Sequence, residues 1–344
     1  MSQTSGPPPT VIESFSLEPD SIDRLAVGLI NETYAADRTD GSACILQRVS
    51  SIFPPEINDD IEAVTEHLSA KGLPTPQLVA TTAGHNRLEA GGDIWRLLTR
   101  IEGETVEALG DADAAREAGR VVGAFHQALA DFERELRCRR PPVHDISRHI
   151  GALRLALAEH ARHSAHGAVE ELADGIFALA EKLEPLPESP LRTVHGDPKI
   201  SNVIFNAGRG ICLVDLDTIA RLPAAIELGD AMRSWCNPAG EDSPDARFVL
   251  ESFRAALEGY RDTAPRLLTE AEWRAVPNAT LGITVELAAR FAADALNESY
   301  FSWDPDRFGG ASEHNLTRAS SQLKLARDIA QRLADLHQII VTLT

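Results

Sequence analysis

Residues 194–205 read VHGDPKISNVIF and residues 213–218 read LVDLDT. The first stretch sets His195, Asp197, Lys199 and Asn202 between a Val and a Val-Ile-Phe run, with Asp197 and Asn202 in one loop. Val203-Ile204-Phe205, a turn, and Ile211-Cys212-Leu213-Val214 have the make-up of a hairpin that would return Asp215 close to Asn202. Two carboxylates and an amide oxygen would then converge at one end of it. Magnesium takes oxygen ligands, with only one or two from protein and phosphate and water completing the octahedron. Phosphoryl transfer to a hydroxyl needs one Asp to orient the attacking oxygen, and an Asn and an Asp for the metal. Asp197 is therefore read as the catalytic carboxylate, and Asn202 and Asp215 as metal ligands. His195 is read as a structural residue bonding the loop backbone, because Asp197 already has the base role.

The elements that must hold these residues have two textures. Residues 22–50 read as strands, with Asp40-Gly41 as the turn of a hairpin. Ile57, Ile61, Val64 and Leu68 repeat at helical spacing before Gly72. LPTPQLVATT and DIWRLLTRIEG read as further strands. From residue 113 the pattern turns helical: Val121, Val122, Phe125, Leu129 and Phe132 form one stripe, with Asp111 or Asp113 as cap. Helical patterns also fit 148–184, 245–260, 270–300 and 313–339, and strand texture returns only at 191–217. The expectation is a strand-rich lobe over 1–101, with 1–12 disordered, and a helical lobe over 102–344 that carries the catalytic loop.

The chain has 344 residues and a net charge of −19. That balance excludes a surface built for nucleic acid, whose phosphates need clustered Lys and Arg, and docking on an anionic membrane. The four cysteines, Cys44, Cys138, Cys212 and Cys236, are scattered, which suggests neither a zinc ribbon nor a disulfide framework and points to a reducing cytoplasm. MSQTSGPPPT has neither the basic start nor the apolar core of a signal peptide.

HGDPKISN followed by VDLDT resembles the catalytic and metal-binding segments of the aminoglycoside phosphotransferase superfamily. The N-acetylhexosamine 1-kinase branch is the nearer resemblance, through GLINETY at 28–34, ILQRVSSIF at 45–53, VTEHL at 64–68, LGDAMR at 228–233 and EHNLTRASSQLKL at 313–325. The resemblance implies an α+β, bilobal protein-kinase-like fold, with nucleotide-binding and acceptor lobes. It implies a cytoplasmic kinase using ATP and Mg²⁺ on a sugar acceptor, at the anomeric hydroxyl of an N-acetylhexosamine. It also implies roles. Gly28, Asn31 and Thr33 would lie over the nucleotide, and Arg100 and Glu102 would flank the adenine hinge. Asp230 would brace the catalytic loop from a helix start, and Asp217, Arg290 and Tyr300 would meet sugar hydroxyls.

The strand lysine of related kinases is missing; Gln47 or Arg48 stands in its neighbourhood, and Arg48 would meet phosphate as a permanent charge. Asp59, Asp60, Glu62 and Glu66 compete as its helix partner. Two alternatives stay open at this point: a kinase for a cationic acceptor such as an aminoglycoside or amino alcohol, and a non-catalytic nucleotide-binding pseudokinase.

Overall fold

Period-2 alternation and tight turns build the first sheet. The computed structural model describes residues 6–25, 30–138 and 143–344, so Gly28 lies outside the described residues. The first elements are α1 (Pro9–Phe15), β1 (Asp23–Leu25), β2 (Glu32–Asp37), β3 (Ala43–Val49), α2 (Ile57–Ala70), β4 (Leu78–Val79), β5 (Leu88–Ala90) and β6 (Asp93–Thr99). The strands are antiparallel in the order β1-β2-β3-β6-β4, with β5 also on β6. Gly41, at φ 82°, takes the left-handed turn conformation between β2 and β3 that its lack of a Cβ allows.

Opposed residues share a face. Tyr34, Leu46 and Leu97 pack with Val11 and Phe15 of α1 in one core. Thr33, Gln47 and Arg96, opposed in the same ladder, share the other face. The expected disorder of 1–12 is corrected for the residues described. Pro9 stands where a helix tolerates proline best, and Val11 and Phe15, four apart, bury completely or nearly so.

The remaining elements are α3 (Ala112–Ala128), α4 (Ile146–Glu159), α5 (His166–Ala180), β7 (Leu191–Val194), β8 (Val203–Asn206), β9 (Arg209–Leu213), β10 (Ala220–Pro223), α6 (Ala224–Trp235), α7 (Leu250–Thr263), α8 (Glu270–Asn297), α9 (Ala311–Gln331) and α10 (Leu333–Leu343). β8 and β9 form a hairpin, and β7 pairs with β10. The long α8 packs against α4, α5, α6, α9 and α10 and is buried on most sides. A capping box between Thr269 and Glu272 satisfies its first turn, and the Glu272 carboxylate also holds Arg192 of β7 with two 2.9 Å bonds. Among the described residues no helix is long and apolar enough to cross a membrane.

Contacts divide the chain into two compact units, and the division is not the single cut expected after residue 101. The first unit holds the residues up to Glu102 but also 131–140 and 214–219; the second holds 103–130, 141–213 and 220–344. Buried carboxylates explain the returns. Asp60 of α2, 2% exposed, accepts the backbone N–H of Arg137 at 2.7 Å and of Cys138 at 2.8 Å, and Asp217 is tied to Asn31 and Arg96.

α3 and α7 cross with their backbones in contact. A Cβ on Gly119 would lie 1.9 Å from the Ala256 carbonyl oxygen, and one on Gly259 would lie 2.0 Å from that of Arg116. Gly119→Ala should therefore destabilise the protein by about 1–3 kcal/mol or more, the usual cost of overpacking. The denaturant midpoint should fall with the slope unchanged; an unchanged midpoint would show that the crossing can relax.

Candidate functional site

The loop that carries Asp197 follows directly from β7, and α6 supplies most of its anchors. Gly196, at φ 85°, turns the chain out of the strand. Glu227 of α6, 1% exposed, accepts the backbone N–H of His195 through Oε1 and that of Gly196 through Oε2, both at 2.9 Å. The Ser234 Oγ accepts the Ile200 N–H at 3.0 Å, and the Trp235 Nε1 donates to the Pro198 carbonyl at 2.9 Å. The loop also bonds itself. Asn202 donates its Nδ2 to the Asp197 carbonyl at 2.8 Å, and Asp197 donates its N–H to the Nδ1 of fully buried His195 at 3.3 Å. Trp235 is thereby a buried brace.

Asp230 stands mid-helix in α6 rather than at its start. It binds Arg233, with Nε 2.9 Å from its Oδ1, while Arg233 reaches Glu241 at 2.6 Å. The direct bracing of the loop expected of Asp230 is corrected: Glu227, Ser234 and Trp235 make those bonds. Sequence reasoning missed Glu227. Its signal was a carboxylate inside the apolar run AAIELGDAM.

Electrostatics keeps both key carboxylates ionised. Burial pushes Asp197 up, but the Lys199 ammonium, 2.7 Å from its Oδ2, with His195 and Arg233, holds it below the ordinary carboxylate range. Asp197 keeps a partly exposed side chain, 29% accessible. Burial likewise pushes Glu227 up. His126, whose Nε2 is 3.5 Å away, together with His195 and the Gly196 N–H, brings it below its usual value. His126 in turn bonds the Tyr260 hydroxyl through Nδ1 at 2.9 Å. With a depressed folded pKa, Glu227 contributes stability that is present above the ordinary value of 4.5 and lost as pH falls through the folded one.

The first unit contains a buried polar network centred on Arg96 and Asp217. Arg96 of β6 and Asp217 are both nearly inaccessible and pair in fork geometry, NH1 to Oδ1 at 2.5 Å and NH2 to Oδ2 at 2.8 Å. Gln47 accepts from the Arg96 Nε and NH2 at 2.8 and 2.6 Å. Asn31 donates to Asp217 at 2.5 Å and accepts the Ser50 N–H at 2.9 Å. Thr33 accepts from Gln47 at 3.3 Å. Arg48 points to the opposite face, where it pairs with Glu32 and, at 3.2 Å, with Asp93. Gln47 and Arg48, the two candidates for the lysine's place, thus lie on opposite faces of the sheet. A sugar-hydroxyl role for Asp217 is corrected, because its buried carboxylate serves Arg96 and Asn31.

Three of the four helix-partner candidates are engaged elsewhere, Asp59 with Arg87 and Arg137, Asp60 with the backbone of Arg137 and Cys138, and Glu62 with Asn86, while Glu66 is exposed. Asp215, in this unit, has left-handed backbone at φ 64° and ψ 54°, a conformation that Asp tolerates better than most residues. Just past β6, the Arg100 N–H donates to the Ala43 carbonyl at 3.2 Å, and the side chains of Arg100 and Glu102 are exposed.

Arg290 of α8 and Tyr300 come together in the second unit. The guanidinium lies 5.6 Å from the Tyr300 ring centre and 5.4 Å from that of Phe301. Asp294 fixes this turn by accepting the N–H groups of Ser299, Tyr300 and Phe301, and Asn315 of α9 donates to it at 3.0 Å. Beside them His144 bonds Glu286 at 3.1 Å. Burial lowers the His144 pKa, but Glu286 and Asp230 more than offset this and hold it above the ordinary histidine value.

Residues 21–266 match the Phosphotransferase enzyme family. A homoserine kinase of Methylobacterium radiotolerans is 26% identical over 275 residues, which cover 79% of this chain and 80% of that protein. One of Xanthobacter autotrophicus is 25% identical over 283 residues, with the same coverage. An aminoglycoside phosphotransferase structure from Alicyclobacillus acidocaldarius superposes with a TM-score of 0.62 at 16% identity over 99% of both chains, so the protein-kinase-like α+β fold is shared.

Glu227→Gln replaces one of the two acceptor oxygens with an NH₂ that faces a backbone N–H. Leaving one buried donor unpaired costs about 1–3 kcal/mol. The expected result is a fall in kcat of about tenfold or more, in proportion to that cost, with the KM for ATP nearly unchanged. Equal loss in both constants would mark Glu227 as a general stability residue.

Proposed function

This chain belongs to the Phosphotransferase enzyme family, and from that membership we propose that it transfers the γ-phosphoryl group of ATP to a sugar hydroxyl, the anomeric one of an N-acetylhexosamine. At the coarser level it is a small-molecule phosphotransferase acting on a hydroxyl acceptor. The observation that carries the reading is Asp197: ionised, partly exposed, and fixed by a loop whose backbone is bonded at His195, Gly196, Pro198 and Ile200.

The residues' work in such a transfer is positioning. Asp197 accepts the proton side of the acceptor hydroxyl and aims its oxygen for in-line attack. With its pKa held down, it orients the hydroxyl and takes the proton only as the oxygen–phosphorus bond forms. Asn202 spends its amide nitrogen on the Asp197 carbonyl, which leaves Oδ1 as an oxygen donor of the type magnesium takes; Asp215 adds a carboxylate. These two residues would hold Mg²⁺, which would supply positive charge against the charge that develops on the transferred group.

For the acceptor, Arg290 against the Tyr300 and Phe301 rings offers a hydrogen-bond donor beside apolar faces, which suits a sugar ring. The segment EHNLTRASSQLKL supports the same branch, since its Asn315 holds the Asp294 turn that carries Tyr300. A second reading has its own support. The curated relatives are homoserine kinases, and the Arg290 guanidinium would equally receive the carboxylate of an amino-acid acceptor.

ATP-dependent turnover across N-acetylhexosamines, aminoglycosides, amino alcohols and homoserine, with the product position read by phosphorus NMR, separates these readings. Transfer to the anomeric oxygen of a hexosamine is expected. Transfer to homoserine alone would replace the sugar reading, and ATP binding without transfer to any acceptor would mark a pseudokinase. Asp197→Ala should slow turnover by at least ~10²-fold, the smaller end of a positioned base's contribution, while ATP still binds. Retention of a tenth of the rate would remove Asp197 from the chemistry.

A further inference from the structure

A second cluster of charge lies outside the catalytic loop. The C-terminal half of α9 and the segment 245–247, which leads into α7, enclose a surface cleft of about 530 Å³. Its volume falls in the range of small-molecule sites. Four cations line it, Arg247, Lys324, Arg327 and Arg332, against two carboxylates, Asp245 and Asp328. In a chain of net charge −19, a local excess of positive charge is the exception. The surrounding field repels anions, so one that settles here must be drawn by these side chains.

One carboxylate is already spent. Asp328 accepts the Phe248 N–H through Oδ2 at 2.7 Å and the Arg332 Nε through Oδ1 at 2.8 Å. It therefore ties the floor of the cleft together and answers only Arg332. The Lys324 ammonium donates to the neutral Pro244 carbonyl, which leaves its charge uncompensated. Among the described residues, neither Arg247 nor Arg327 has a side-chain hydrogen bond or ion pair, and both are exposed. The Arg327 NH2 lies over Gly175 of α5, where a Cβ would meet it at 2.6 Å.

We propose that this cleft is a binding site for the phosphate dianion of a small molecule, received by Arg247 and Arg327 as guanidinium forks with Lys324 as a point charge. Two forks and an ammonium on one opening match the several oxygens of a phosphate better than a lone carboxylate. None of the lining residues belongs to the catalytic loop or to the Arg290–Tyr300 turn, so the site is additional to the transfer chemistry.

The test is a calorimetric titration of the whole protein with inorganic phosphate, without magnesium and at fixed ionic strength, beside a chloride control. Wild type should bind phosphate, and Arg247→Glu with Arg327→Glu should weaken binding by at least about tenfold, in keeping with the loss of charge-assisted bonds. Basal ATP turnover should stay unchanged, since neither residue takes part in it. Gly175→Ala, which displaces Arg327 without altering charge, should weaken binding in the same direction, and it keeps the test readable should the double charge reversal fail to fold. Equal phosphate binding by wild type and the variants, or a chloride response equal to the phosphate response, would overturn the proposal.

Discussion

One carboxylate in the interior of the second unit sets the terms for the loop that carries Asp197. Glu227 lies on α6 and is almost inaccessible, yet it spends both oxygens on successive backbone N–H groups of the chain leaving β7. A buried, ionised group of this kind is costly unless answered; beyond the two N–H groups, the His126 Nε2 lies 3.5 Å away, with its Nδ1 on the Tyr260 hydroxyl. The direction in which Asp197 leaves the strand follows from that arrangement. Ser234 and Trp235, one helical stretch further on, fix the next turn of the loop. Local backbone geometry, helix packing and the orientation of a reactive carboxylate are thus one problem with one solution.

The first unit solves a similar problem with a different pair. Arg96 and Asp217 are buried together, and removing either partner alone would strand a charge at a cost of about 3–5 kcal/mol. Their pairing, with Gln47 and Asn31 closing the remaining bonds, locks the segment after Asp215 onto the sheet face that also carries Thr33. The buried cation of this face, Arg96, stands on β6, opposite Gln47 of β3. Gln47 and Arg96 are opposed on one face, whereas Arg48, the obvious cation by sequence, points to the other.

Much of this was legible in the sequence, in proportion to how local the signal was. The Asp40-Gly41 hairpin, the apolar stripe of α2 and the β8–β9 hairpin between HGDPKISN and LVDLDT are short-range patterns, and each reads correctly from the sequence. The bonds that organise the site are long-range. Asn31 meets Asp217 across 186 positions, and Arg96 meets it across 121. No periodicity announces such pairs; the only local trace is a charge inside an apolar run, as in DIWRLLT and AAIELGDAM. The helix at Pro9–Phe15 was hidden by the prolines before it, which read as disorder although one of them starts the helix.

In the proposed transfer a positioned, ionised Asp197 aims an acceptor hydroxyl directly at the γ-phosphorus, with no phosphate carried by the protein in between. Transfer from ATP made chiral at the γ-phosphorus with oxygen isotopes tests this most directly. A single in-line displacement predicts inverted configuration at phosphorus in the product. Retained configuration would require two displacements through a phosphorylated residue, and would contradict the account.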